Sequence, residues 1–311
     1  MEVHERKVFI LPAPVVIFVY NRPDHTKKTI EALAENYLAK ETDVFIFSDA
    51  AKNEKATANV QMTRKYIETV PDKNLFKSVE IIKAPRNKGL ANSIISGVSE
   101  IVDKYGRVIV LEDDLITSTV FLKFMNSALD YYQNEEKIFT ISGYSNIDIP
   151  KSYNDSVYFS HISTSWGWAT WKKEWDSVIW DHEHYKNIME NKKLLREYKN
   201  KIGNERIKML KLQLEGKIDS WAIRRLFSQL EQKKFTVFPS KTLVINIGLD
   251  GSGTHSGLNK NFDKELMLSH NFGFEEVKFE ENKEINKCIY KKNNKFITRK
   301  IFNRLKKIMR I

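Results

Sequence analysis

Residues 15–37, VVIFVYNRPDHTKKTIEALAENY, decide the fold. Val15 to Tyr20 is an unbroken run of β-branched and aromatic residues, which reads as a buried strand, and it stops at the polar turn Asn21-Arg22-Pro23. Asp24 is placed to cap a helix on which Ile30, Leu33, Ala34 and Tyr37 recur at helical spacing. A buried strand feeding an amphipathic helix is the unit from which parallel sheets are built.

The unit recurs. Val44 to Phe47, Val79 to Ile82, Val108 to Leu111 and Ile138 to Ile141 read as strands. Helices are expected from about Ala58 to Val70, Leu90 to Val102 and Val120 to Tyr131. The fold class is therefore α/β, a Rossmann-like, mostly parallel sheet with helices on both faces. In such a sheet the ligand crevice lies beyond the carboxyl ends of the strands. Four successive strand exits deliver polar groups to that rim: Tyr20, Asn21 and Arg22, then Ser48 and Asp49, then Arg86, Asn87, Lys88 and Gly89, then Glu112, Asp113 and Asp114. Their shared position suits a polar, phosphorylated ligand.

After Pro150 the pattern changes. Trp166, Trp168, Trp171, Trp175 and Trp180 are five of the six tryptophans. The intervals of three and four among Trp168, Trp171 and Trp175 predict a buried helical stripe. A charged helical region to about Glu215 follows, then a helix from about Ser220 to Glu231, a strand near Thr236 to Phe238, and a polar loop from Gly248 to Gly257. No linker composition separates the halves. One domain is expected over residues 1–290, with an earlier part at about 14–145 and a site-completing part at about 146–290.

The chain has 51 Lys and Arg against 40 Asp and Glu, for a net charge of +11 over 311 residues. Nine of the basic residues and none of the acids fall in residues 291–311, which leaves 42 basic against 40 acidic groups on the rest. A nearly neutral body argues against a nucleic-acid-binding surface. The tail itself alternates Ile297, Ile301, Phe302, Leu305, Ile308 and Met309 with basic residues, the pattern of an amphipathic helix for an anionic membrane face. The apolar run near the start is broken by Pro12 and Pro14 and has no clear cleavage site, so a cytoplasmic protein without a signal peptide is expected. Cys288 is the single cysteine and reads as an inert thiol. His4 and His161 read as surface or packing residues.

The sharpest local signal is Glu112-Asp113-Asp114. Three adjacent acids repel one another, and a hard divalent ion relieves the repulsion. In extended geometry Glu112 and Asp114 share a side and Asp113 turns away. A helix amino-terminal cap before Leu115 is the competing interpretation. Asp219 likewise reads either as a helix cap ahead of Trp221 as an apolar anchor or as a functional carboxylate. His255, among Gly251, Gly253 and Gly257, is either an imidazole metal ligand on a loop that folds over a ligand or a residue of a surface loop.

The segments PVVIFVYNRPDHTKKTI, FIFSDA, RNKGL, VLEDDL, SWGWATW, DSW and NIGLDGSGTH span most of residues 14–255. In this order they resemble bacterial sugar transferases of the nucleotide-sugar-binding GT-A fold, family 2-like, and in particular the inverting N-acetylglucosaminyltransferase-I-like group. The resemblance implies that Asn21, Arg22 and Asp49 lie near base or ribose, and that Arg86, Asn87 and Gly89 lie beside ribose and diphosphate. It implies Asp114 as the principal ligand of Mn²⁺ or Mg²⁺, Glu112 and Asp113 as contacts to ribose, donor sugar or metal-bound water, and His255 as a late metal ligand. Glu-Asp-Asp departs from the commoner pattern of two aspartates one residue apart, a variant found in that group. Asp219 would be the base that deprotonates the acceptor, and Trp166 and Trp221 the aromatic residues facing sugar or acceptor.

The implied activity is metal-dependent, inverting transfer from a nucleotide-sugar, a UDP-sugar, to a saccharide acceptor, including a lipid-linked one, in surface-glycan or lipooligosaccharide synthesis. The tail would place the protein peripherally on the inner face of the cell membrane. Sugar-phosphate nucleotidyl transfer uses related chemistry, but YNRPD stands where a glycine-rich first loop would be expected. A noncatalytic nucleotide-sugar- or polysaccharide-binding protein would not need the full set of acids.

Overall fold

The computed structural model describes residues 12–145, 147–250, 265–268, 272–274 and 282–289. His4, His255 and the basic tail at 291–311 lie outside the described residues. The first half follows the expected alternation: β1 (Val15–Val19), α1 (Pro23–Ala34), β2 (Asp43–Ser48), α2 (Glu54–Glu68), β3 (Ser78–Lys83), α3 (Leu90–Tyr105), β4 (Arg107–Glu112), β5 (Leu115–Thr117), α4 (Phe121–Tyr131) and β6 (Ile138–Ser142). The second half adds β7 (Val157–Ser160), β8 (Trp168–Trp171), α5 (Lys172–Asp176), α6 (Lys186–Glu190), α7 (Lys192–Ile202), α8 (Asn204–Leu214), α9 (Trp221–Glu231), β9 (Phe235–Pro239) and β10 (Val244–Asn246).

Eight strands form one sheet in the order β3-β2-β1-β4-β8-β6-β9-β7, and β5 pairs with β10 in a separate antiparallel ribbon. The block β3-β2-β1-β4 is parallel throughout, β6 and β9 are parallel, and β8 and β7 run antiparallel to their neighbours. This mixed, mostly parallel sheet flanked by helices is a GT-A-like, Rossmann-like fold.

The central strands show why the sequence chose it. Every residue of β1 is buried, which requires cover on both faces. Val15, Ile17 and Val19 face Ile30 and Leu33 of α1 and the apolar stripe of α4. Val16 and Phe18 face Ile94, Val98 and Ile101 of α3. Successive strand residues alternate between the two layers, so helices on each side find a continuous apolar surface.

Local expectations fail in three places. α1 starts at Pro23 with Arg22 in the capping position, so Asp24 lies in the first turn and is not the cap. Proline is suited to that first position, where its missing N–H costs nothing. The tryptophan stripe is not helical. Trp168 and Trp171 end a strand, and residues three apart on a strand face opposite layers. Trp168 stacks on Trp175 and Trp221 beside α3, whereas Trp171 donates its indole N–H to the Leu129 carbonyl of α4 at 3.2 Å. Finally, the acid triplet is followed by β5 and not by a helix, which removes the capping interpretation.

Candidate active site

The carboxyl ends of β1, β2 and β4 stand side by side, with Phe18 opposite Glu112 and Val19 opposite Ser48. Each exit contributes polar groups. The Tyr20 N–H donates to Asp113 Oδ2 at 3.3 Å, tying the end of β1 to the triplet. Asn21 is half-buried in the turn that follows.

Arg22 is brought to the acids themselves. Its Nη2 pairs with Asp113 Oδ1 and, at 2.9 Å, with Asp114 Oδ2. The expected division of the triplet is therefore different: Asp113 and Asp114 share one cation, while Glu112 continues the face of Val108 and Val110 toward the α3 layer. Burial raises the Glu112 carboxyl to about 8, and the charges of Asp114 and Asp113 add to that rise against the opposing effect of Arg22. Desolvation also raises Asp113, opposed by the Arg22 guanidinium. Burial works against the charge on Arg22, but the two carboxylates outweigh it and hold its pKa above the ordinary value.

The end of β10 and the residues after it close this cluster, more than a hundred residues on in the sequence. Asn246 lies opposite Leu115, and its Nδ2 donates to Asp114 Oδ1 at 3.2 Å. The Ile247 N–H donates to the Asp114 carbonyl at 2.9 Å. Gly248 then passes so close that a Cβ on it would sit 2.5 Å from Arg22 Nη1. Beyond it, Asp250 pairs with His25 of α1 at 3.2 Å. The sequence pattern alone does not mark Asn246 and Gly248 as site residues. The glycine beside a late polar motif was the available signal, but its need for close approach shows only in three dimensions.

At the neighbouring exit, Asp49 is a structural knot. Its carboxylate accepts from Ala50 N at 2.8 Å, Asn87 Nδ2 at 2.9 Å, Lys88 N at 2.9 Å and Gly89 N at 3.0 Å. Asn87 also donates to the Ala50 carbonyl at 2.7 Å. Gly89, at φ +78°, turns the loop into α3 in a conformation that other residues resist. Asp49, Asn87 and Gly89 are thus together as expected, with Asp49 shaping the loop, and Arg86 is exposed on it.

The remaining candidates lie in the later half. Trp166 is half-buried with its ring 4.4 Å from that of Tyr144. Trp221, expected at the sugar or acceptor, is instead 3% exposed and stacked on Trp168. It is a core residue because its helix needs an apolar first turn to dock on α3 and β8. Ser220 caps α9, accepting from Ile223 N at 3.3 Å, so Asp219 is not the cap. The Asp219 side chain is 60% exposed and pairs with Arg224 at 2.9 Å. The stacking of Trp221 on Trp168, which lies opposite Val110, connects the start of α9 to the strand that carries Glu112. His161 is a packing residue, stacked on Phe235, and Cys288 is partly buried.

Carboxylate oxygens are the donors that a hard divalent ion takes. Asp113 and Asp114 converge on one cation, and the guanidinium of Arg22 marks where positive charge is accommodated. Among the described residues no group of three or more His, Cys, Asp or Glu side chains is arranged to hold a metal. An ion here would be held by Asp114, with phosphate or water oxygens completing the shell, the usual arrangement for Mg²⁺.

No protein-family model matches the chain, and no curated protein does. Among solved structures it is similar to S. aureus TarS, at 16% identity and a TM-score of 0.30, covering 45% of this chain and 23% of that one. TarS 1–349 gives 12% identity and a TM-score of 0.41 over 74% of this chain and 59% of that one. GalNAc-T7 with UDP, GalNAc and Mn²⁺ gives 9% identity and a TM-score of 0.46 over 74% and 43%. The chain therefore spans less than two thirds of the length of each.

Proposed function

We propose that the protein is a metal-dependent glycosyltransferase that moves a sugar from a nucleotide-sugar, a UDP-sugar, to a saccharide acceptor with inversion. The observation that carries this reading is the convergence of Asp113, Asp114 and Arg22 at the carboxyl end of the parallel sheet, under the segment at Asn246 and Gly248. Acids that meet a cation at this edge suit a ligand that brings both phosphate and metal.

The roles follow from charge and position. The 86–89 loop, held by Asp49, would line the nucleotide, and Asp114 with His255 would hold Mn²⁺ or Mg²⁺. When bound, the ion offsets the negative charge that gathers on the departing nucleoside diphosphate. The acceptor hydroxyl oxygen attacks the anomeric carbon, its proton passes to the Asp219 carboxylate, and the bond to the diphosphate breaks with its electron pair leaving on oxygen. The Asp219 carboxylate is 60% exposed, with Arg224 as its ion-pair partner, which leaves it in reach of solvent-borne ligands. The half-buried face of Trp166 suits the apolar side of a sugar ring.

No helix among the described residues is long and apolar enough to cross a membrane. The basic tail would hold the protein against an anionic lipid surface and near a lipid-linked acceptor in surface-glycan or lipooligosaccharide synthesis. Removing residues 291–311 should then release the protein from anionic vesicles and spare transfer to a soluble acceptor.

The deciding experiment is a screen of UDP-sugars with and without Mn²⁺, with sugar loss and UDP release read by mass. One preferred donor and a Mn²⁺ requirement are expected. Absence of both donor preference and metal response would end the enzyme assignment.

A further inference from the structure

Both oxygens of Asp114 are already engaged within the chain. Oδ1 accepts from Asn246 Nδ2 at 3.2 Å, and Oδ2 accepts from Arg22 Nη2 at 2.9 Å. The same guanidinium nitrogen binds Asp113 Oδ1. Arg22 thus occupies the place where a cation would bridge the two carboxylates. Its other terminal nitrogen, Nη1, is buried and has no hydrogen-bond partner among the described residues. A donor of this kind is costly to leave unsatisfied, and a guanidinium cannot shed its charge.

We propose that Arg22 is the resident counter-cation of the acid cluster, that a divalent ion enters by exchanging with it at Asp114, and that the displaced guanidinium takes the oxygens of the donor diphosphate. The inference rests on the metal-dependent reading above. Its backbone is anchored, since the Arg22 carbonyl accepts from Thr26 N at 2.9 Å and Pro23 follows it. The exchange is therefore a side-chain movement about a fixed helix start.

The arrangement couples ion to diphosphate. An ion arriving alone has to break a mostly buried ion pair and strand the guanidinium, which is expensive. When a diphosphate arrives with the ion, the guanidinium gains a charge-assisted partner in return. Each ligand then strengthens the other, and the coupling is reciprocal. Arg22 acts as a positioning residue that keeps the site closed to metal until the donor is present.

The test is Mn²⁺ binding to the full chain, read from the electron paramagnetic resonance of free aqueous Mn²⁺, with and without UDP. Lys52→Gln, on the exposed turn after β2 whose backbone N–H donates to the Tyr20 hydroxyl, controls for loss of one positive charge near the same rim. Without UDP, Arg22→Gln should bind Mn²⁺ about tenfold more tightly than wild type, within the range usual for coupled sites. Lys52→Gln should stay within about threefold, because exposed charges are screened. The enhancement by UDP should be smaller in Arg22→Gln than in wild type. Equal or weaker Mn²⁺ binding by a folded Arg22→Gln, with wild type binding normally, overturns the exchange and leaves the metal-dependent reading standing. Absence of Mn²⁺ binding in wild type and variant, with or without UDP, overturns both. Should Arg22→Gln not fold, the ¹⁵N-arginine spectrum of the wild type decides: adding Mg²⁺ and UDP should move the Arg22 Nε–Hε resonance, assigned through Arg22→Lys, and an unmoved resonance overturns the exchange.

Discussion

A methyl group placed on Gly248 would lie 2.1 Å from Oδ2 of Asp114. The backbone of the late segment is thus in contact with the acid that the sequence marks for metal. Gly248→Ala should force Asp114 and Arg22 apart, costing about 1–3 kcal/mol as overpacking does. Urea denaturation should show the loss. A thermal-shift assay should show that UDP with Mn²⁺ no longer raises the melting temperature as it does in wild type. A variant with normal stability and a normal shift would mean that the segment yields freely.

Asp114→Asn keeps the size and the Asn246 contact but removes the charge that faces Arg22. Transfer should fall on the order of 10²-fold or more, since charge compensation at the leaving group is lost. The dependence on Mn²⁺ concentration should shift to higher values. Initial rates across a Mn²⁺ series test this, and an unchanged metal dependence would move the ligand role elsewhere.

Much of this was legible in the sequence because of how the strands are buried. Runs such as Val108 to Leu111, covered on both faces, carry no competing helical pattern, so β1, β2 and β4 and their exits are directly readable. β5 and β10 escaped because three residues hold no period. β8 is masked in the sequence because Trp168, Trp171 and Trp175 satisfy helical spacing by coincidence, with a strand-to-helix junction at Lys172 between them. Likewise Asp49 was visible as an acid at a strand exit, but not its capture by the backbone of Lys88 and Gly89. Such roles depend on which backbone comes near, and a side-chain pattern does not encode that.

That capture makes a prediction. Asp49→Ala would leave the donors of Asn87, Lys88 and Gly89 without their common acceptor, a loss of about 1–3 kcal/mol. The loop at 86–89 should loosen, so KM for the UDP-sugar should rise more than kcat falls. Steady-state kinetics separates the two. A fall in kcat with KM unchanged would place Asp49 at the chemistry and not at the loop.

Asp219→Asn tests the proposed proton transfer. The side chain is 60% exposed, and Arg224 also donates to the Trp180 carbonyl at 3.3 Å, so stability should change by no more than about 0.5 kcal/mol. Transfer should drop roughly 10²- to 10⁴-fold, the usual contribution of a general base. Affinity for UDP should stay the same by calorimetry. Retained turnover would remove Asp219 from the base role.

Glu112 provides a pH signature that needs no substrate. Its carboxyl is raised from 4.5 to about 8, chiefly by burial and then by Asp114 and Asp113. Between those two values the folded protein keeps a proton that the unfolded chain has released, so the folded state binds more protons. Stability should therefore fall as pH rises through that window and level off above it. Asp113 is raised as well and adds a change of the same sign. Glu112→Gln cannot titrate and should show a shallower fall, with the remaining slope owed to Asp113. Urea midpoints at intervals across the window, measured with a chelator present so that no metal fills the site, test this. Identical slopes in wild type and variant would mean that the Glu112 carboxyl ionises as readily in the folded protein as in the open chain, and the charge balance at Arg22 would then rest on three full negative charges.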